Sequence, residues 1–473
     1  MKSTKRQAKC RQLSEKEYRQ KVNDVHREYA EEHVVEWIDE DNSTVRISLD
    51  SDLDLMARVL HMANLNAAYL KVKKNKGAGG IDGMSVVDMF SYIRDNQDVL
   101  LKSLRDGKYK PNPVRRVEIP KGEPGKFRKL GIPTVIDRVF QQAIAQVLSP
   151  IYEHAFSEYS YGFRPGRSCH TALKQLKEYA DEGYTYVVDL DLEKYFDTVC
   201  HSRLVQILSE TIKDGRLVSL IHKYLKAGVW VNGMFERTDE GVPQGGPLSP
   251  LLGNIMLNEL DWELERRGHK FVRYADDTMI LCKSQKAAER TLESITKFIE
   301  EKLYLKVNRE KTCVARLWEV KYLGFGFYFK GEECRFRVHP KTVTKLKQKL
   351  RDFISRDNHM SDEERISKWN KKVAGWINYY YIADMKALLK QIDGWIRRRI
   401  RALYWRRWKR VRTRYKVFRS LGVDEWRVHE LANMRSGPWA SAMALNCVLT
   451  NEWIENQGFR SLSNYYLAKT RQN

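Results

Sequence analysis

Cysteine is scarce and scattered. The seven in this 473-residue chain (Cys10, Cys169, Cys200, Cys282, Cys313, Cys334 and Cys447) include no Cys-x-x-Cys pair. The sequence therefore indicates neither a zinc site nor a disulfide framework, and it suits a reducing compartment. Long apolar runs are missing too. No stretch approaches the roughly 18–20 residues that cross a bilayer, and the N-terminus has no apolar signal core. A soluble, intracellular protein with no membrane partner is expected. The third shortage is of negative charge: 61 Asp and Glu stand against 84 Lys and Arg, a formal net charge of +23. Such an excess repels itself unless a polyanion neutralises it, so nucleic acid is the expected partner. The imbalance is sharpest from Arg397 to Arg419, where no acidic residue occurs.

What is present begins with enough apolar residues, 42% of the chain, to bury real cores in two to four domains. The most informative stretch is Tyr274-Ala275-Asp276-Asp277, set between Phe271-Val272 and Met279-Ile280-Leu281. An apolar run, a short acidic turn and another apolar run predict a β-hairpin with the carboxylates at its tip. Two adjacent anions raise each other's pKa, so such a pair is usually there to hold a cation. Taken alone, it reads equally well as an exposed turn, because turns favour Asp. Upstream, Tyr186-Val187-Val188-Asp189-Leu190-Asp191-Leu192-Glu193 reads as a buried strand running into an acidic turn. If that strand packs beside the hairpin, three carboxylates converge. The arrangement suits two-metal phosphoryl chemistry, in which oxygen ligands hold two Mg²⁺ about 3.5–4 Å apart. Asp189, Asp191 and Glu193 alternate, so spacing alone does not select the ligand.

Further segments flank these elements in order: Ile119-Pro120-Lys121, then Arg128-Lys129-Leu130-Gly131-Ile132-Pro133-Thr134, then Tyr161-Gly162-Phe163-Arg164-Pro165-Gly166-Arg167-Ser168. Between the acidic elements lies Gly241-Val242-Pro243-Gln244-Gly245-Gly246-Pro247-Leu248-Ser249-Pro250. Together they resemble the reverse transcriptases encoded by group II introns, from about Asn66 to the C-terminus, and most closely the compact bacterial type without an appended nuclease. The resemblance implies an α+β right-hand polymerase: fingers and palm with an antiparallel sheet, an α-helical thumb and a basic helical C-terminal region. The expected divisions are a charged extension over 1–52, fingers over 53–160, palm over 161–337, thumb (maturase X domain) over 338–409 and a DNA-binding region over 410–473. The implied activity is addition of dNTPs to a primer 3′-hydroxyl on an RNA template. Binding of structured intron RNA to assist splicing, and of target DNA during intron mobility, comes with it, in a ribonucleoprotein of the bacterial cytosol. A host-adopted reverse transcriptase acting in repair or defence without an intron is the alternative.

Site residues follow from the same resemblance. The family's catalytic Asp precedes an aromatic gate by five residues, matching Asp191 and Phe196. The implied metal site is two Mg²⁺, with Mn²⁺ as a substitute, on Asp191, Asp276 and the Leu192 carbonyl, with Asp277 contributing more weakly. Phe196 would exclude a 2′-hydroxyl, and Gln244 would contact the nucleotide. Lys311, in Val307-Asn308-Arg309-Glu310-Lys311-Thr312, matches a lysine that would protonate pyrophosphate, although a surface lysine reads equally well. Tyr322-Leu323-Gly324-Phe325-Gly326-Phe327 resembles the primer grip.

The rest of the chain is read more coarsely. Ser14-Glu15-Lys16-Glu17 is a capping box that opens a helix through about Trp37. A helical pattern from Leu53 to Leu70 leads to a glycine-rich loop at residues 75–83, which no Gly-Lys-Ser/Thr follows, so it is not a P-loop. Val114 to Pro133 reads as a hairpin carrying Arg115, Lys121 and Arg128; charge alone reads as a solvated basic hairpin, and the resemblance to the family's fingers implies that these cations clamp a triphosphate. Helices are expected from Pro340 onward, with Trp376 and Trp395 as core anchors. Nucleic acid is assigned to Arg164 and Arg167, and to Arg397, Arg398, Arg399, Arg406, Arg407, Lys409, Arg410, Arg412 and Arg414. In the last group, cations interleaved with tryptophan can neutralise phosphates and stack on bases.

Overall fold

The computed structural model describes residues 54–120, 125, 127–355 and 360–471, together with the backbone of 34–38 and 44–48. Lys121 and most of the helix expected from Ser14 lie outside the described residues. The end of that helix is corrected: β1 (Val34–Ile38) pairs antiparallel with β2 (Thr44–Ser48). Val34, Val35, Trp37 and Ile38 are β-branched or aromatic, and a pleated ribbon accommodates them better than a helix. The chain divides into two compact units, Met1–Arg316 and Leu317–Asn473. Among the described residues no helix is long and apolar enough to cross a membrane.

In the first unit the apolar pattern near Leu53 becomes helix Leu55–Val59 and α1 (Met62–Asn75), separated where His61 takes an extended backbone. The strands are β3 (Val114–Pro120), β4 (Phe127–Ile132), β5 (Tyr186–Leu190), β6 (Val229–Val231), β7 (Met234–Glu236), β8 (Lys270–Tyr274), β9 (Asp277–Cys282) and β10 (Cys313–Arg316). β3 and β4 form the expected basic hairpin, in register from Arg115↔Ile132 to Pro120↔Phe127. The parallel pairing of β3 with β6, which makes a sheet of order β4-β3-β6-β7, has no local signal in the sequence. Thr134 ends β4's run by capping α2 (Val135–Glu153): its hydroxyl accepts from Asp137 N and donates to Asp137 Oδ2. Fourteen of the nineteen residues of α2 are buried, which makes it the spine of this unit.

The second sheet, of order β10-β5-β9-β8, is antiparallel throughout, as expected of a palm. Helices α3 (Cys169–Asp181) and α4 (Ser249–Arg266) pack on β8, and α5 (Gln285–Lys302) packs on β5, β9 and β10. These helices bury Val187, Val188, Phe271, Val272, Met279 and Ile280, leaving the acidic ends of β5 and β9 at the sheet's rim.

The second unit contains β11 (Phe325–Lys330) and β12 (Glu333–Val338), then α6 (Pro340–Phe353), α7 (Asp362–Tyr380), α8 (Lys386–Arg407), α9 (Val411–Ser420) and, near its end, α10 (Leu462–Arg471). Residues 317–337 therefore cluster with the C-terminal helices, whereas the sequence division grouped them with the palm. Phe325 packs against Tyr379 and Tyr380 of α7, and Tyr379 OH donates to Leu323 O at 2.9 Å. The tryptophan assignment is corrected. Trp369 and Trp405 are buried, while Trp376 and Trp395 are half-buried. Trp369, Val373 and Ile377 are buried on the inner face of α7, and Trp376, seven residues from Trp369 on the same side of the helix, is half-buried against the Tyr380 ring. Asp393, buried in α8, accepts from Leu462 N, Ser463 N and the hydroxyls of Ser461 and Ser463, fixing the start of α10.

Candidate active site

The Tyr274–Asp277 hairpin forms as the sequence predicts, with Tyr274 opposite Asp277 and a two-residue turn of Ala275 and Asp276. Ala275 has φ +59. A left-handed alanine costs about 1–2 kcal/mol, so something must hold it. That something is Arg273, fully buried, whose Nη1 donates to Ala275 O at 2.8 Å and to Asn254 Oδ1 at 3.0 Å. Its Nε donates to Asp261 Oδ1 at 2.7 Å, and its Nη2 donates to Ser160 Oγ at 2.7 Å and to the other Asp261 oxygen. Burial pushes the Asp261 carboxyl up and the Arg273 charge pulls it down. The segment before Gly162 runs along β8, with Arg273 N donating to Tyr159 O and Tyr161 N to Arg273 O. Gly162 lies flush against the turn: a Cβ there would come within 2.3 Å of Ala275 N. Sequence reasoning missed Arg273, Asp261 and Ser160, whose mutual contacts span elements far apart in the chain.

β5 pairs with β9 through Asp189↔Met279 and Leu190↔Thr278, so one further step sets Asp191 opposite Asp277. The strand therefore does pack beside the hairpin. Asp191 is held from the 308–312 loop: Lys311 Nζ donates to Oδ2 at 2.9 Å and Asn308 Nδ2 to Oδ1 at 3.3 Å. Thr312 Oγ1 accepts from Asp191 N at 3.1 Å. Bonds from Glu193 N to Lys306 O and from Asn308 N to Asp191 O flank the Leu192–Val307 bridge. In that antiparallel pattern the Leu192 amide and carbonyl turn away from Val307, toward the β9 side.

The electrostatics match a cation site. Asp277 is pushed up to about 6 by desolvation and by Asp276, Asp189 and Asp191, with Lys311 opposing. Asp189 is pushed up to about 6 by burial and by Asp191. Negative charge thus accumulates here beyond what the protein neutralises. Among the described residues no group of three or more His, Cys, Asp or Glu side chains is placed to hold a metal ion. Two carboxylates and a backbone carbonyl are hard oxygen donors, the kind a divalent cation takes when water or substrate phosphates complete its shell.

Beside the hairpin lies a cavity of about 650 Å³ whose lining includes Arg128, Phe196, Gln244 and Asp276. The Gln244 loop is docked on β4, with Gly131 N donating to Gln244 O at 2.7 Å. Gly245, at φ +122, approaches so closely that a Cβ would sit 2.7 Å from Gly131 O. His201 Nε2 lies 2.7 Å from Gly241 O and secures the start of that loop. Phe196 packs edge-on to Tyr195 and over Gly253, where a Cβ would meet its ring at 3.2 Å. The cavity also contains Arg138 and Phe163, which the sequence did not single out. Arg138 sits within the buried spine α2 and donates to Ala78 O. Arg115 is not in the cavity lining, and its guanidinium donates to Gly79 O at 2.8 Å.

Several cations assigned to nucleic acid have partners within the protein. Arg164 is buried, with donors directed at Glu153, Ser157 O and Ser160 O, so it presents nothing to a phosphate. Arg167 pairs with Glu158. Arg414 lies 3.6 Å over the Trp405 ring and donates to Trp408 O and Ala432 O. Arg398 donates to Trp439 O, and Arg407 pairs with Asp362. Arg397 and Arg399 are half-buried, while Arg406, Lys409, Arg410 and Arg412 are exposed.

Comparison with known proteins agrees with this geometry. A family described as reverse transcriptase (RNA-dependent DNA polymerase) matches residues 119–327, and a group II intron, maturase-specific domain matches residues 343–422. The chain is 36% identical over 326 residues to Protein YkfC of Escherichia coli (strain K12), covering 59% of this chain and 84% of YkfC. It is 31% identical over 415 residues to the group II intron-encoded protein LtrA of Lactococcus lactis subsp. cremoris, covering 67% and 68% of the two chains. A putative COX1/OXI3 intron 2 protein of Saccharomyces cerevisiae is 30% identical over 359 residues, covering 62% of this chain and 40% of its own length.

Proposed function

The chain belongs to the group II intron-encoded reverse transcriptases and maturases and is thus an RNA-directed DNA polymerase; from that premise we propose that the cavity beside the Tyr274–Asp277 hairpin is its nucleotidyl-transfer site. One observation carries the reading: Arg128, Phe196, Gln244 and Asp276, drawn from four separate elements, line a single cavity.

Asp191 and Asp276, with Asp277 and the Leu192 carbonyl in support, would hold two divalent cations, Mg²⁺ by the hardness of the donors and Mn²⁺ as a substitute. When bound, these ions supply charge stabilisation at the attacking 3′-hydroxyl and the leaving pyrophosphate. Arg128 binds the incoming triphosphate by charge-assisted hydrogen bonds, with Lys121 of the same hairpin as its partner in that role. Phe196 fills the space a 2′-hydroxyl would need, and Gln244 orients the nucleotide. Lys311, which donates to Asp191 at 2.9 Å, carries the proton that the departing pyrophosphate takes. Holding the reactants in line accounts for most of the acceleration.

In this reading residues 53–160 act as fingers and 161–337 as palm. Residues 338–409 act as thumb, and 410–473 meet target DNA. Template and primer occupy the polymerase as an A-form heteroduplex read by shape and backbone. Structured intron RNA is the maturase partner, and Arg406, Lys409, Arg410 and Arg412 supply phosphate contacts. The test is primer extension on an RNA template with Mg²⁺, comparing dNTPs with NTPs and Asp276→Ala with the parent. Extension with dNTPs that Asp276→Ala abolishes, while RNA binding persists, is expected. Full extension by Asp276→Ala would remove the proposed chemistry.

A further inference from the structure

Phe163 combines three properties that the fold alone does not require. Its ring is 60% exposed although large and apolar, its backbone is left-handed at φ +59, and it lines the same cavity as Phe196, Gln244 and Asp276. A bulky residue at positive φ is an outlier, and it persists only where the surroundings over-determine it.

Here they do so on both sides. Before it, Gly162 is flush against Ala275 of the catalytic turn, and its carbonyl accepts from Asn254 Nδ2 at 2.8 Å. After it, Arg164 is bolted into the interior, its Nε to Glu153 Oε1 at 2.9 Å and its Nη1 to Ser160 O at 2.8 Å. Between these anchors Phe163 is left exposed at the cavity rather than packed in the core. It is presented, on a mount shared with Asp276, to whatever enters the cavity.

The other walls divide the ligand's chemistry. Arg128 and Arg138 offer cations, Asp276 an oxygen donor, and Phe196 a ring behind the sugar position. What remains unmatched is a flat π face, the one feature common to all four nucleobases. We propose that Phe163 is a base-stacking platform for the base pair forming at the polymerase site. Stacking tolerates any base, as a polymerase requires, whereas a hydrogen-bonding side chain would discriminate among them. The proposal rests on reading the cavity as the nucleotide site.

The experiment measures KM for dNTP in primer extension with Phe163→Ala, Phe163→Leu and Phe163→Tyr, and inhibition by inorganic tripolyphosphate, which has no base. Stacking worth about 1–3 kcal/mol corresponds to a rise in KM of roughly 5- to 150-fold in Phe163→Ala, with Phe163→Tyr near the parent and Phe163→Leu well short of it. The tripolyphosphate inhibition constant should not move. On a template with an abasic site, the Phe163→Ala penalty persists if the ring meets the incoming base and vanishes if it meets the templating base. Full rescue by leucine, or an equal shift for tripolyphosphate, overturns stacking, and so does an unchanged KM while tripolyphosphate still competes with dNTP in the parent. If tripolyphosphate does not compete in the parent, the nucleotide reading of the cavity itself fails and the proposal falls with it. Melting temperatures accompany each variant. Since the ring is exposed, Phe163→Ala should melt close to the parent, and a loss of folding in all three variants would assign the ring to structure.

Discussion

Replacing Arg273 by methionine should separate stability from catalysis. Both members of the Arg273–Asp261 pair are fully buried, so removing the guanidinium strands a carboxylate in the interior. Breaking a buried pair in this way costs about 3–5 kcal/mol. The contacts to Asn254, Ser160 and Ala275 are lost with it, which places the expected loss at the upper end of that range, a large share of a domain stability of about 5–15 kcal/mol. Protonation of Asp261, already favoured by burial, limits the loss. The double variant Arg273→Met, Asp261→Leu removes both charges and should recover most of the stability, because apolar replacement of a whole buried pair is often neutral or better. Activity should not recover with it. Ala275 O still lacks its donor, the left-handed turn relaxes, and Asp276 moves; a displacement near 1 Å costs on the order of a hundredfold in rate. Urea denaturation of each variant and single-turnover primer extension below the melting range measure the two quantities. A single variant that loses less than about 1 kcal/mol would refute the buried-charge argument. A double variant that regains activity in step with stability would refute the positioning of the turn by Arg273.

Other perturbations test separate parts of the molecule. Phe196→Val should lower the preference for dNTP over NTP by roughly ten- to a hundredfold in kcat/KM, read from competing extension reactions; an unchanged ratio removes the gate. His201 is buried, its ring held at Gly241 O, and burial lowers its pKa below 6.5. The unfolded chain therefore takes up a proton that the folded one resists. Stability should be full above about pH 6.5 and fall as pH drops from there toward the depressed folded value, by at most about 1.4 kcal/mol per pH unit. His201→Gln should flatten that part of the profile. Arg164→Ala should lower the melting temperature through its stranded partners and leave the salt slope of RNA binding alone, whereas each charge removed at Lys409, Arg410 or Arg412 should reduce that slope by about one.

The residues that misled sequence reading share a cause. Arg164 and Arg414 were assigned to phosphate because an arginine in a polar motif or a basic run reads as surface, yet their guanidiniums donate to backbone carbonyls. Arg115 was read as part of a triphosphate clamp, and the structure has one of its donors on Gly79 O and leaves it out of the cavity lining. Trp376 and Trp395 looked like core anchors, but Trp369 and Trp405 are the buried ones and the other two are only half-covered. Conversely Arg273 adjoins the most conspicuous motif in the chain and carried no signal, because its partners Asp261 and Ser160 lie 12 and 113 residues away.

The sequence by itself determined what depends on near neighbours. Apolar runs around two aspartates dictated a hairpin, the alternation from Val114 dictated a second one, and the surplus of Lys and Arg dictated a polyanionic partner. The order of the motifs was enough to indicate a polymerase. Only the tertiary structure decided which charges are buried, which ring faces the cavity, and that Asp191 comes to stand opposite Asp277. The reason is that hydrophobic patterning is written along the chain, whereas the partner of a buried guanidinium or the neighbour of an exposed ring is fixed by packing between segments far apart in it.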